Sequence, residues 1–394
     1  GPVGTTLALD LAVHGVASVL LEERLDFPPN PKCNTTNARS LEHFRRLGCA
    51  DAIRRAGLPA ARPTDVVYVT RWAGHEVTRY RLRSSADVFA GRRIGAIDEY
   101  WPTPEPQHRV SQIYMEPALR ARLATLPACD FRPGWRFLDY SQDADGVECR
   151  ALELATGREQ RFRARYLVSG EGGHSAIRRA MGARLEGREV VTHMCSTYLR
   201  CPALQRLWPH APGWMHRIFN RDGESHILAI DGQELWLHHS IIGPDKRLEE
   251  HDHVRAIRNS IGADIDYEIL GQERWTARAM VVDRYRDRRV FLAGDAAGAE
   301  RARQRVRRAP RTADGGRRAR AGGHDQVPGL SAGAGTARSA HRLARSCRAR
   351  GAGRGGRASL WPGGVTDMGY VLGVDVGGTF TDAVGIDADG RILS

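Results

Sequence analysis

Asp295 lies in the stretch of this sequence most suited to chemistry, Arg289-Val290-Phe291-Leu292-Ala293-Gly294-Asp295-Ala296-Ala297. A short apolar run closing in Gly-Asp and two small residues reads as a buried strand. Its carboxyl end presents one carboxylate beside backbone that a ligand can approach closely. In open α/β sheets ligands bind at the carboxyl ends of strands, so Gly294 and Asp295 are placed to hold a hydroxylated ligand. An Asx-capped turn after a strand is the other reading of a lone Gly-Asp.

A second carboxylate stands in a complementary pattern near the start. Gly1-Pro2-Val3-Gly4 runs into Thr5 to Ala12, whose apolar positions 7, 8, 11 and 12 have helical spacing. His14-Gly15 stops that helix, and Val16 to Leu21 is a continuous apolar strand ending in Glu22. Glycines permitting close approach, a helix N-terminus for a pyrophosphate and an acid for a ribose hydroxyl make the second half of a dinucleotide-binding βαβ unit. A plain helix followed by a strand would look the same. The first strand, and the first glycine of the fingerprint, do not precede Gly1 in this sequence.

These residues need elements to hold them. Asn37 opens a helix through Arg39, with Leu41, Phe44 and Leu47 as its apolar stripe. Val66–Arg71 and Glu76–Leu82 alternate as a hairpin around Ala73-Gly74, and Gln112 starts a helix running to Leu126. Val147–Leu154 and Gln160–Val168 read as a second hairpin, leading into the glycine turn Gly170-Glu171-Gly172-Gly173 and a helix containing Arg178. From Thr192 to Ile242 the pattern is strand-like and aromatic, with Tyr198, Trp208, Trp214, Phe219 and Trp236 as a sheet walling an apolar pocket would have. Each aromatic taken alone also suits a plain core.

The totals narrow the classes. At 394 residues the chain holds two domains or one with an inserted lobe, and 41% hydrophobic residues suffice for a core. No apolar run of about 18 residues occurs, so no membrane span is expected. Seven scattered cysteines without a CxxC pair suit a reducing cytoplasm and argue against a zinc site. The net charge is +13, yet residues 299–360 alone hold 16 Arg against Glu300, Asp314 and Asp325, which accounts for all of it. The rest of the chain is not basic, and no specific nucleic-acid partner is expected for it.

Taken together, GPVG, the Glu22-ended strand, Ala38-Arg39-Ser40-Leu41-Glu42, the Gln112-initiated helix, Glu171-Gly172-x-x-Ser175-x-x-Arg178 and Leu292-Ala293-Gly294-Asp295-Ala296-Ala297 carry a resemblance. Over residues 1–298 the chain resembles the FAD-dependent aromatic hydroxylases, the single-component flavoprotein monooxygenases acting on phenols and hydroxybenzoates. The resemblance implies an α/β, FAD-binding Rossmann-like domain, here lacking its first strand, with a mixed or antiparallel substrate sheet around 66–110 and 190–280. It implies Gly1 and Gly4 at the ADP pyrophosphate, Glu22 at the adenosine ribose, Arg39 and Gln112 on the flavin side, and Gly294 with Asp295 at the ribityl chain. Glu171 stands where the family has Asp in its second nucleotide fingerprint. The implied chemistry is that NAD(P)H reduces FAD, O2 adds at the flavin C4a, and the hydroperoxide hydroxylates a small aromatic substrate.

After Ala297 the family pattern stops. Residues 299–367 contain abundant Arg, Ala and Gly, and 299–360 lack Phe, Tyr, Trp, Ile and Lys, a composition too poor in apolar side chains to order itself. Arg without Lys reads as out-of-frame translation of a GC-rich sequence; an arginine-rich nucleic-acid arm is the alternative. Residues 368–394 change character again. Gly373-Val374-Asp375-Val376-Gly377-Gly378-Thr379-Phe380-Thr381-Asp382 resembles the phosphate-binding hairpin that opens the hydantoinase A and acetone carboxylase family, with strands either side of Gly-Gly-Thr. With the first strand and the flavin-side loop changed, impaired FAD binding and impaired hydroxylation are expected, and a non-catalytic relic of the fold is the limiting case.

Overall fold

In the computed structural model residues 1–298 are described in full, together with the backbone of 371–375, 385–386 and 392–393. The arginine-rich segment 299–367 lies outside the described residues. The first helix, α1 (Pro2–Val13), starts with Pro at a position where its missing N–H is no loss, and it runs back along the sheet to β1 (Ser18–Glu22). All five residues of β1 are buried, as a central parallel strand covered on both faces requires.

Around β1 lies a six-stranded sheet. Its parallel members are β1, β4 (Cys129–Pro133), β8 (Tyr166–Gly170) and β15 (Val290–Leu292), and the two-residue strand β14 (Arg286–Asp287) pairs antiparallel at one edge. The position between β1 and β8 is taken by β16 (Val371–Asp375), parallel to both. The six strands are therefore continuous. Of the expected hairpin, the turn at Gly377-Gly378-Thr379 lies outside the described residues; 371–375 joins this sheet, while 385–386 (β17) pairs with 392–393 (β18). Parallel neighbours on both sides give every residue of 371–375 a partner, which one hairpin cannot do.

Side-chain alternation sorts β1 between two layers. Leu20 joins α2 (Ala38–Arg46), α3 (Ala50–Ala56) and α5 (Gln112–Leu123) through Leu41, Phe44, Ile53, Met115 and Leu119. Val19 and Leu21 face a three-stranded antiparallel sheet of β5 (Trp135–Gln142), β6 (Val147–Glu153) and β7 (Glu159–Ala164). The single strand expected over 160–168 is thus two, split at Arg165, with β7 in the cover sheet and β8 in the central one. A break of one residue lets the chain change layers.

The second sheet has seven strands in the order β13 (Glu268–Val282), β9 (Leu185–Arg200), β12 (Leu235–Ile241), β11 (Gly223–Ala229), β10 (Met215–Asn220), β2 (Val66–Val69) and β3 (Glu76–Tyr80). It is antiparallel except for β10 with β2, matching the mixed substrate sheet expected. β9 and β13 pair along most of their length, with a bulge at Ala277/Ala279. At that bulge Gly187 has φ +135°, and a Cβ there would lie 2.2 Å from the Ala279 carbonyl oxygen, so only glycine fits.

One face of this sheet is sealed by α7 (Pro202–Leu207) and α8 (His253–Ile261), which pattern reading had not separated from the strands. Trp72, Trp208 and Trp236 meet here, with Trp72 centred 4.7 Å from Trp208 and 5.1 Å from Trp236. Trp236 and Tyr198 are one register position apart in pairs Trp236–Leu199 and Leu237–Tyr198, hence on opposite faces. The five aromatics, read as a pocket wall together and as plain core singly, are consequently divided: Trp208 and Trp236 are core, and Phe219 is exposed beside Tyr68. The short helix α4 (Ser85–Phe89) carries a full capping box between Ser84 and Asp87. Among the described residues no helix is long and apolar enough to cross a membrane.

Candidate functional site

The carboxyl edge of the parallel sheet gathers most of the residues singled out in the sequence. Glu22 ends β1 with 2% exposure, too deep for an unpaired carboxylate. Its Oε2 accepts from the Gly1 nitrogen at 2.6 Å, and its Oε1 accepts from the Arg24 amide at 3.0 Å. The first turn of α1 has no side-chain cap, while Thr5 and Thr6 hydroxyls donate backward to the carbonyls of Gly1 (2.9 Å) and Pro2 (2.7 Å). Gly1 and Gly4 are buried in that turn.

Helix α5 presents a polar row toward the same edge. Gln112, Glu116 and Arg120 recur every four residues and so share one face. Gln112 Nε2 donates to Glu116 Oε1 at 2.5 Å, and Arg120 Nη2 lies 3.8 Å from both Glu116 and Glu22. The Arg120 guanidinium also stacks on Phe27 at 4.4 Å. Gln112 Oε1 and Arg120 Nε are buried without a hydrogen-bond partner. Glu116 and Arg120 were not legible as site residues, although their spacing from Gln112 was a usable signal.

On the far side of β1 the Gly-Asp turn comes close to α1. Gly294 has φ +59°, and a Cβ on it would sit 2.8 Å from Val3 Cγ2. Glycine therefore serves both a left-handed backbone and close contact with the helix. Asp295 follows in a 3-10 turn, Gly294–Ala296, half-buried, at the end of β15. Glu171, the expected second nucleotide contact, has its Oε2 turned inward. That oxygen accepts from Ser169 Oγ (2.9 Å), Ser175 Oγ (2.5 Å) and the Ile177 amide (3.0 Å), capping α6 (Ala176–Ala180). Arg178, next on α6, donates to the carbonyls of Gly173 (2.6 Å) and Ala296 (3.1 Å).

Arg39 stands apart from the buried group. It is an exposed residue on α2, paired with Glu42 at 3.2 Å. Glu42 in turn accepts from Thr103 at 2.9 Å, and these hydrogen bonds hold its carboxyl below the usual range. Between α5 and the second sheet lies a residue the sequence had not marked. Arg109 is 5% exposed, stacks 3.8 Å over the Trp214 ring and donates to Thr35 Oγ1 at 2.8 Å. Burial pushes its guanidinium down to about 10. Asn34 Oδ1, Arg109 Nε, Ser111 Oγ and Trp214 Nε1 are all buried without partners, as is Gln112 Oε1.

These features test whether FAD fits. Glu22 and Asp295 can accept from hydroxyls, the α1 N-terminus suits phosphate, and five orphaned polar atoms lie around Arg109 and Gln112. Such atoms are what a polar cofactor would satisfy, so the residues present fit the group.

Comparison with known proteins agrees with that donor set. The family described as FAD binding domain matches residues 1–300. The FAD-dependent monooxygenase apdD of Emericella nidulans is 31% identical over 313 residues, covering 75% of this chain and 50% of that protein. 2,4-dichlorophenol 6-monooxygenase of Cupriavidus pinatubonensis is 29% identical, with 75% and 50% covered. Among solved structures, the substrate-free rebeccamycin biosynthetic enzyme REBC superposes with a TM-score of 0.68 at 29% identity, covering 76% of this chain and 56% of that one. The ternary complex of aklavinone-11 hydroxylase with FAD and aklavinone gives 0.66 at 26%, covering 75% and 55%. The chain spans about half the length of these relatives.

Proposed function

The chain belongs to the FAD-binding domain family, and from that premise we propose that it is the FAD- and substrate-binding portion of an NAD(P)H-using aromatic monooxygenase. The observation that carries this reading is the meeting of Glu22, the α1 N-terminus, Gln112, Arg120 and the Gly294-Asp295 turn at one sheet edge. FAD, when bound, supplies electron transfer from NAD(P)H and the activation of O2. The protein's part is to bind, orient and exclude water. In this reading Glu22 accepts from ribose hydroxyls, the first turn of α1 with Gly1 and Gly4 faces the pyrophosphate, and Asp295 accepts from a hydroxylated chain. Gln112 and Arg39 lie on the flavin side, and Glu171 supports the turn that carries Arg178. The face of the second sheet bearing Tyr198 forms the substrate wall. Burial and the neighbouring Tyr114 raise the Tyr198 hydroxyl's pKa, which keeps it a neutral donor.

The substrate class is a phenolic or related aromatic ring. This rests on the dichlorophenol and aklavinone named for two relatives and on the apolar character of that wall. Hydroxylation by this chain as written is expected to be impaired, because the sequence after Ala297 departs from the family. The test is a titration with FAD, followed by flavin fluorescence, of the wild type and of Glu22→Ala and Asp295→Ala. Each substitution should weaken binding about tenfold, the scale of one lost charge-assisted hydrogen bond. Equal binding by all three chains would remove the site. NAD(P)H consumption with added phenols should stay at the rate without them, and a phenol-dependent increase would overturn the expected impairment.

A further inference from the structure

The polar row on α5 has a direction that the cofactor reading leaves unused. Gln112 and Glu116 are 1% and 2% exposed, so each polar atom there needs a defined partner. A primary amide has one donating end and one accepting end, and its neighbours decide which way it turns. Gln112 Nε2 donates to Glu116 Oε1 at 2.5 Å. The reversed amide would set a carbonyl oxygen against a carboxylate oxygen, two acceptors with no proton between them. Glu116 therefore fixes the amide, and Gln112 Oε1 is the end left over. That oxygen is buried and has no hydrogen-bond partner among the described residues.

Arg120 fixes Glu116 in turn. Its guanidinium lies 3.8 Å from Glu116 Oε2 and 3.8 Å from Glu22 Oε2, over the rings of Phe27 (4.4 Å) and Phe131 (5.3 Å). Two carboxylates thus share one cation whose place is set by aromatic packing. Glu22 stands at one end of this row and Gln112 Oε1 at the other. A phosphate oxygen, itself an acceptor, cannot satisfy Gln112 Oε1, whereas a hydroxyl or an N–H can.

We propose that Glu116 is a positioning residue: held by Arg120, it turns the Gln112 amide so that the carbonyl oxygen faces the ligand and selects a hydroxyl or N–H donor there. This rests on the FAD reading above, in which the polyol chain on the flavin side supplies such donors. Glu116 acts through Gln112, and Arg120 aligns it with Glu22, so one guanidinium sets both ends of the row. Phosphate is left to the N-terminus of α1.

The orientation is tested on the full chain without cofactor. With isotope-labelled glutamine, the Gln112 side-chain amino protons are identified by their loss in Gln112→Leu. They should exchange with solvent at least about tenfold more slowly in the wild type than in Glu116→Leu, while the backbone amides of α5 stay equally protected in both. Equal side-chain exchange in the two chains would overturn the proposal.

The consequence for binding is tested by titration with FAD and with ADP, which carries the ribose and phosphates but no flavin-side polyol. Glu116→Leu removes the acceptor, and Glu116→Gln offers an amide that meets Gln112 either way round. Both should weaken FAD about tenfold and change ADP by less than about threefold. In a Gln112→Leu background the same substitutions should change FAD binding by less than about threefold, because the group through which Glu116 acts is gone. Equal weakening of FAD and ADP, an undiminished loss in the Gln112→Leu background, or unchanged FAD binding in both variants would each overturn the proposal. A wild-type chain that binds neither probe would remove the FAD reading and the donor selection with it. The amide's orientation is decided separately by the exchange.

Discussion

Arg178 donates from Nη1 to the carbonyl of Ala296 at 3.1 Å, tying the helix after the glycine turn to the residue following Asp295. Its second amino group holds Gly173 at 2.6 Å, so one guanidinium fork spans the two motifs. The side chain is 7% exposed, and burial lowers its pKa somewhat. Lysine has one point of charge and no fork, so Arg178→Lys cannot serve both carbonyls. Arg178→Met should destabilise the chain by about 2 to 4 kcal/mol, the value of two charge-assisted bonds lost from a buried site. Arg178→Lys should lose about half of that. Urea unfolding midpoints measure both, and a Met variant as stable as the wild type would mean the fork is incidental.

Glu171 has its Oε2 committed to the α6 N-terminus through three donors. Glu171→Gln keeps the shape but removes the charge, so all three bonds weaken and one of the two terminal groups becomes a donor facing donors. A loss of about 1 to 3 kcal/mol is expected. Because that oxygen faces inward, FAD affinity should change less in this variant than in Glu22→Ala. A larger effect on FAD than on stability would restore the direct nucleotide role that the sequence suggested.

What the sequence disclosed follows from which residues have few alternatives. Gly294 was legible because a left-handed turn against Val3 admits little else, and Glu22 because an acid ending an apolar run is rare. The helix from Gln112 and the hairpin of β2 and β3 were legible from period alone. Arg109 and Arg120 were not, because an arginine on a helix or loop is ordinary until its burial is known. Trp236 could not be sorted between pocket wall and core, because strand parity cannot be read before the register is fixed. The place of Val371–Asp375 depends on partners hundreds of residues away, and no local pattern encodes that.

Three buried histidines make the fold acid-sensitive. Burial lowers His108 to about 4 and His216 and His238 to about 3, so all three are neutral when folded at pH 7. His108 is held between Ser85 Oγ at 3.2 Å and the Arg54 carbonyl at 3.1 Å. Unfolded, each titrates near 6.5, so below that pH the unfolded chain binds more protons and stability falls. The loss begins near pH 6.5 and continues down to about 4 for His108. At pH 5 each group contributes up to about 2 kcal/mol of this loss, from 1.36 kcal/mol per pH unit. Urea midpoints at pH 7.5 and pH 5 should therefore differ, and His108→Gln should shrink the difference by one group's share. An undiminished difference in that variant would show that His108 is not among the groups responsible.

Arg109 is the residue at which stability and binding should oppose each other. Its charge is buried, its stacking on Trp214 at 3.8 Å compensates part of the desolvation, and its Nε has no partner. Asp98, an opposing charge that acts on it, is already held by Arg83 at 3.8 Å. A cation kept so incompletely paired is usually retained for a ligand rather than for the fold. Arg109→Met fills a similar volume without charge, so the ligand-free chain should unfold at an equal or higher urea concentration. FAD affinity should nevertheless fall about tenfold, equal to 1.4 kcal/mol, since the guanidinium lies three residues before Gln112 among the orphaned polar atoms. Trp214 gives the second readout, because removing the stacked cation should shift its emission. If Arg109→Met is destabilised by more than about 2 kcal/mol and binds FAD as the wild type does, the stack on Trp214 serves packing alone.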